Sequence, residues 1–111
     1  VTSEPWSVVV VPFPFTDRHQ SRRRPAVVLS PVEFQASHGA ALLGMITDAR
    51  NAAWPSDVAI EDLDSAGLRL ASVFRCKLFT LDESLVLGCI GALAARDRRA
   101  VARSLRTAVA R

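Results

Sequence analysis

This chain of 111 residues has little cysteine and almost no lysine, and no stretch long enough to enter a membrane. No apolar run approaches the roughly 20 residues of a spanning helix. Val8–Phe15 is short and carries two prolines. No segment joins a charged start to a long apolar core as a secretory signal does, so a cytoplasmic location is expected. The two cysteines, Cys76 and Cys89, lack CxxC spacing, which removes a disulfide framework and a cysteine-rich zinc site. In a reducing compartment they are expected to pack as small apolar residues. His19 and His38 have no partner at metal-ligand spacing, so no metal or other cofactor is expected. No P-loop, GxGxxG fingerprint or nucleophile elbow is present, which leaves nucleotide-dependent and serine-hydrolase chemistry without support.

What is present is an apolar chain with arginine as its cation. Half of the residues are apolar, enough for one domain and one core over residues 1–111. The formal net charge is +3, and Lys77 is the one lysine among fourteen basic residues. Arginine is planar, always charged and offers forked donors, so the bias suits anion contacts. A GC-rich genome produces the same bias, and composition alone does not decide between them.

Strand-like segments come first and a helix last. Trp6–Pro12 reads as a buried strand whose proline end lies at a sheet edge or leaves the ladder. Pro25–Ser30 and Ala41–Thr47 are further apolar strands, and Pro31–Gly39 between them reads as a loop or short turn. Asp48–Ser56 is a connection. Asp57–Ile60 alternates as a half-buried strand does, and Glu61–Gly67 is an acidic turn in which Gly67 takes a positive φ. Leu70–Leu81 is a strand region, and Leu85–Leu93 holds a final short strand. Val101, Leu105, Ala108 and Val109 form the apolar stripe of a C-terminal helix with Asp97 as N-cap. Arg98, Arg99, Arg103 and Arg106 fall on its solvated face. The order predicts a bent antiparallel sheet or barrel with one packed helix.

The most informative stretch is Val8-Val-Val-Val-Pro-Phe-Pro-Phe-Thr-Asp17, followed by Arg22-Arg-Arg-Pro-Ala-Val-Val-Leu-Ser30. Three arginines stand at the mouth of a strand, and a stiff Arg-Pro step sets the last of them. Such a cluster suits phosphate oxygens and points to a nucleic-acid backbone. These two segments, with Gly44-Met-Ile-Thr47, Ala66-Gly-Leu68 and Ser72-Val-Phe-Arg-Cys-Lys-Leu-Phe-Thr-Leu-Asp82, resemble the MazF/PemK family of toxin–antitoxin ribonucleases. The resemblance runs from about Trp6 to Leu93. It implies a mainly β, SH3-like, CcdB/MazF-type bent antiparallel barrel with a C-terminal helix, assembled as a homodimer. It also implies a metal-independent endoribonuclease that cuts single-stranded RNA, and a cognate antitoxin whose flexible segment blocks the RNA groove.

The resemblance carries over residue by residue. Arg24 matches the arginine of the family's Arg-Pro step, which implies a grip on the scissile phosphate and on the charge that develops there. The alternative is a surface arginine near a strand start. Thr47 matches a strand-end Thr or Ser whose hydroxyl bonds a phosphate oxygen or orients the arginine; the alternative is a threonine kept for its β-propensity. The family often continues with Ser-Gln or Ala-Gln, where this chain has Asp48-Ala49. PemK-type members carry Arg-Cys-Asp where this chain has Arg75-Cys76-Lys77, so Arg75 matches and the acid does not. A protonated lysine cannot act as a base but can bind phosphate. Arg22 and Arg23 steer RNA by charge or are simply solvated. In the first loop, Asp17 reads as a turn residue beside the RNA, and His19 has the pKa range for proton transfer but also suits an exposed loop. Trp6 and Trp54 stack bases or fill core and interface.

The implied reaction is attack of a 2′-hydroxyl on the adjacent phosphate, a nucleophile that RNA itself carries. Two rival readings share the fold or the charge. One is a CcdB-like inhibitor that binds DNA gyrase without catalysis. The other is a passive module that binds RNA or DNA and leaves the strand uncut.

Overall fold

The structure, a computed structural model, describes residues 3–12 and 23–111. Valine-rich β1 (Ser7–Pro12) pairs antiparallel with β2 (Arg23–Val28), Val8 opposite Val27 and Val11 opposite Arg24. The central strand β3 (Ala40–Asp48) lies between β2 and the long β5 (Ser72–Asp82). Short β4 (Val58–Ala59) and β6 (Gly88–Ala92) are the edges of a six-stranded sheet of order β4-β5-β3-β2-β1-β6. The sheet is antiparallel and curls into a half-barrel with a C-terminal helix, α3 (Ala95–Ala108). β6 pairs with β1 only over Ser7–Val10, so the Pro12 end leaves that ladder, as its missing N–H requires.

Both faces of the sheet are packed. Val8, Val27, Ile46 and Phe74 meet Val101 of α3, with Ile60, Ala66 and Leu93 beside them. Val9, Val11, Ala26, Val28, Ala41, Leu43 and Phe79 form the second cluster. β1 supplies neighbouring valines to opposite clusters, which explains an unbroken apolar run in place of alternation.

One irregularity shapes the sheet. Gly44 pairs with Leu78, but the next residue, Met45, pairs with Arg75, so Cys76 and Lys77 form a bulge in β5. The slip is of two residues, which keeps the faces of the two strands in phase. At that point Phe74 crosses over Gly44, and a Cβ on Gly44 would stand 2.3 Å from the phenyl ring.

Several expectations need correction. Pro31–Gly39 is not a loop: it holds helix α1 (Val32–His38), closed by Gly39 in the left-handed region. Its anchor is polar, which hid it. Gln35 is fully buried, and its amide bonds both backbone groups of Ser3 and the carbonyl of Ser30. Glu61–Gly67 contains a one-turn helix, α2 (Leu63–Ala66), capped by Asp62, with Gly67 at the expected positive φ of 71°. Asp97 is not the N-cap of α3; that position is Ala94. Asp97 lies in the first turn, buried, and its carboxylate accepts the backbone N–H groups of Glu61 and Asp62 at 3.0 Å each. A helix start favours a negative charge there. The apolar stripe of α3 ends at Leu105, since Val109 is exposed beyond the sheet. Cys76 packs against the core, but Cys89 is exposed on the edge strand. Among the described residues, no helix is long and apolar enough to cross a membrane.

Gly44→Ala is expected to cost about 1–3 kcal/mol, the range for overpacking a closed core. Urea unfolding followed by far-ultraviolet circular dichroism measures it.

Candidate functional site

The β2–β3 register brings two of the predicted residues together. The β2–β3 ladder ends at Ala26 opposite Met45, and Arg24 and Thr47 lie two residues beyond that last pair on their strands. Both line a cleft of about 230 Å³ with Pro25, Ile46 and Asp48, walled by the Leu68–Leu70 segment and Ser72. That wall adds a second cation, Arg69. The Arg24 Nε is buried and finds no hydrogen-bond acceptor among the described residues. An unmet buried donor costs about 1–3 kcal/mol, so stability alone gives no reason for an arginine here.

Thr47 is almost fully buried at the end of β3. Its hydroxyl oxygen accepts the side-chain N–H of Asn51 at 2.6 Å. With a lone pair so engaged, the hydroxyl proton remains for a third group in the cleft. The neighbouring Asp48 is closed off differently. Both of its oxygens accept from the Arg50 side chain, and Oδ1 also takes the Arg50 backbone N–H. The side-chain hydrogen bonds from Arg50 are the larger cause, and the backbone bond adds to them. Together they hold the Asp48 carboxyl down to about 2. It is ionised at any physiological pH and a poor proton acceptor.

Arg75 lies on β5 opposite Met45 and is largely buried. Its Nε and Nη2 grip Asp57 at 3.0 and 2.8 Å, and Nη2 also reaches the carbonyl of Ala52 at 2.6 Å. The guanidinium stands 5.3 Å from the centre of the Trp54 ring. Asp57 in turn accepts the Trp54 backbone N–H. Arg75 thus ties down the second half of the 48–57 loop while Asn51 ties the first half to Thr47. The Asp57 carboxyl is held below its ordinary value, chiefly through its hydrogen bond from Arg75, against the opposing effect of burial.

The other expected residues scatter. Arg23 is exposed at the start of β2, opposite Pro12. Lys77 is half-buried in the β5 bulge, on the same side as Arg75 by alternation. Asp17, His19 and Arg22 lie outside the described residues. Trp6 packs partly against the core, whereas Trp54 is 41% exposed. Asn51, Asp57 and Arg69 were not singled out by their types. Asn51 follows Thr47 by four residues in a turn-forming stretch, but the Asp57–Arg75 pairing spans eighteen residues and leaves no local trace.

A curled half-barrel carrying this cleft is a fold with many solved relatives. MazF from Deinococcus radiodurans superposes with a TM-score of 0.75 at 22% identity, over 97% of this chain and 96% of that one. Mycobacterium tuberculosis toxin MazF-mt6 gives 0.71 at 20% identity, over 92% and 94%. An endoribonuclease bound to its cognate antitoxin, from a mycobacterial species, gives 0.72 at 14% identity, over 96% and 91%. No curated protein matches the sequence. These likenesses define the class of fold, a toxin-type half-barrel. The family of PemK-like, MazF-like toxins of type II toxin–antitoxin systems matches residues 4–109, and the chain belongs to it.

The Arg75–Asp57 pair predicts a pH-dependent loss. A carboxyl whose folded pKa is depressed contributes stability that is present above its ordinary value of 3.8 and fades as pH falls through the folded value. Asp57→Asn leaves Arg75 uncompensated and is expected to cost about 3 kcal/mol at pH 7. The gap from wild type should narrow as pH falls below 3.8, where the unfolded chain's carboxyl takes up a proton that the folded one still resists. Urea unfolding at pH 7 and pH 3 measures both.

Proposed function

We propose that this toxin is a metal-independent endoribonuclease that cuts single-stranded RNA. The observation that carries this reading is the pairing of Arg24 with Thr47 in one cleft, with Arg69 on its wall. RNA supplies its own nucleophile. The 2′-oxygen attacks the adjacent phosphorus, the bond to the 5′-oxygen breaks, and the products are a 2′,3′-cyclic phosphate and a 5′-hydroxyl. Arg24 stabilises the charge of the pentacoordinate phosphorane. Thr47 donates its hydroxyl proton to a non-bridging oxygen and is kept in that orientation by Asn51. Asp48 is the weaker candidate for the base, because both of its oxygens already accept from Arg50. His19 is the candidate for taking the 2′-hydroxyl proton. Arg75 holds the loop and presents charge offset by Asp57, while Arg22, Arg23 and Lys77 lend positive potential toward the strand, with Asp17 beside them. Unstacked bases of single-stranded RNA can be read one by one.

The same reading gives the protein a cognate antitoxin, as its mycobacterial neighbour is bound to one. It also gives a homodimer in the cytoplasm. Exposed Leu85, Leu87 and Ile90, on or beside β6, an edge strand among the described residues, supply apolar area for a second copy.

Labelled single-stranded RNA in excess EDTA, beside a copy with a 2′-deoxy sugar at the cut, tests the reaction. Cutting of the first alone is expected. Arg24→Ala should then lower kcat about 10²–10³-fold with the fold intact. Cutting of both substrates would assign another nucleophile. No cutting of a long, varied RNA would move the reading to gyrase binding or passive nucleic-acid binding.

The Asn51–Thr47 bond gives a separate expectation. Asn51→Ala should lower kcat about tenfold with little change in KM, because the bond orients a group that acts in the transition state. Single-turnover kinetics on the same RNA reads that split.

A further inference from the structure

We infer that Trp54 is a nucleobase-stacking platform that holds one unpaired base of the RNA beside the cleft; this rests on the ribonuclease reading above. An exposed indole in a loop, outside both hydrophobic clusters, needs an explanation, and three features supply one.

The ring is fixed in place. The Arg75 guanidinium covers one of its faces, and that guanidinium is itself held by Asp57 and the Ala52 carbonyl. The Trp54 backbone is pinned as well: its N–H donates to Asp57 and its carbonyl accepts the Asp57 N–H at 3.0 Å. With one face toward the cation, 41% of the residue remains exposed, and the base is assigned to the opposite face. A rigid aromatic face binds with little further loss of entropy.

The platform is close to the cleft. Asn51, three residues earlier, is bonded to Thr47, so the Cα of Trp54 lies no more than about 11 Å from that of Asn51. A strand whose phosphate sits between Arg24 and Thr47 reaches the indole within a short stretch of chain.

The surroundings suit a base. Arg24 and Arg69 line the cleft, and exposed Arg50 stands between it and the indole along the loop. Cations for the backbone beside an aromatic for the bases form the pattern of single-strand binding, and stacking is tolerant of base identity. The other tryptophan does not compete for this role, because Trp6 packs partly against the core.

The test uses the full-length protein and a short RNA made uncleavable by a 2′-deoxy sugar at the cut. Titration should quench the wild-type tryptophan fluorescence, and Trp54→Phe should lose most of that quenching while keeping most of the affinity. Trp54→Ala should raise Kd for this RNA, and KM for the cleavable form, about tenfold with kcat nearly unchanged. Thermal unfolding of both variants checks that the loop still closes over Arg75. An unchanged KM in a Trp54→Ala protein that still cuts would overturn the stacking role and leave the ribonuclease reading standing. A lower sedimentation mass for Trp54→Ala would overturn it too, by assigning the ring to a contact between copies. Wild-type protein that neither binds nor cuts RNA would sink the ribonuclease reading and the platform with it.

Discussion

The register of β3 against its two neighbours decides where every candidate residue falls. On one side, the ladder ends with Ala26 opposite Met45, and Arg24 and Thr47 just beyond it line one cleft. On the other, the slip at Gly44 sets Arg75 opposite Met45. A shift of one residue in either ladder would turn these side chains to the opposite face. The slip of two preserves the faces and moves only the level. Gly44 permits it, because Phe74 occupies the volume that a side chain there would need. Core packing at Phe74 and the placement of Arg75 are therefore one constraint, since the two residues are neighbours on the same strand.

The 48–57 loop converts that placement into a site. It is tied at its start by Asn51 to Thr47 and near its end by Asp57 to Arg75. Both charges of the second tie are about nine-tenths buried. Burying an ion pair is expensive, and a well-packed apolar pair of the same volume often does as well for stability. What the pair adds is geometry: a forked donor fixes two carboxylate oxygens and one carbonyl at once, and an indole is laid over it. The conformation of the loop, and with it the direction of the Thr47 hydroxyl, follows from polar contacts in place of a core.

The sequence made the strands legible for a simple reason. β1, β2, β3 and β5 are apolar on at least one face, and burial of that face outweighs other local preferences. Thr47 and Arg24 were legible as types at strand ends, though only the folded cleft shows that they share a site. α1 was not legible because its anchor is a buried glutamine, and a polar residue satisfied by distant backbone groups looks like a loop residue. Asp97 misled for a related reason. A carboxylate near a helix start reads as a cap, yet it serves the backbone of Glu61 and Asp62 far earlier in the chain. Asn51, Asp57 and Arg69 escaped because their significance lies in what folding sets beside them.

Asp48 lines the cleft, at the position where a Ser-Gln or Ala-Gln step is expected from the family resemblance. A bare carboxylate there would repel a phosphate gripped by Arg24. Arg50 answers that problem locally. Its guanidinium meets both oxygens, and its backbone N–H takes one of them again. The charge is not removed, since the carboxyl stays ionised down to about pH 2; it is matched by a cation two residues away. The pair leaves the positive character of the cleft to Arg24 and Arg69, which have no carboxylate bound to them among the described residues. Two arginines with no acidic partner among the described residues, set beside a hydroxyl that Asn51 orients, form the electrostatic arrangement that an incoming phosphodiester would complete.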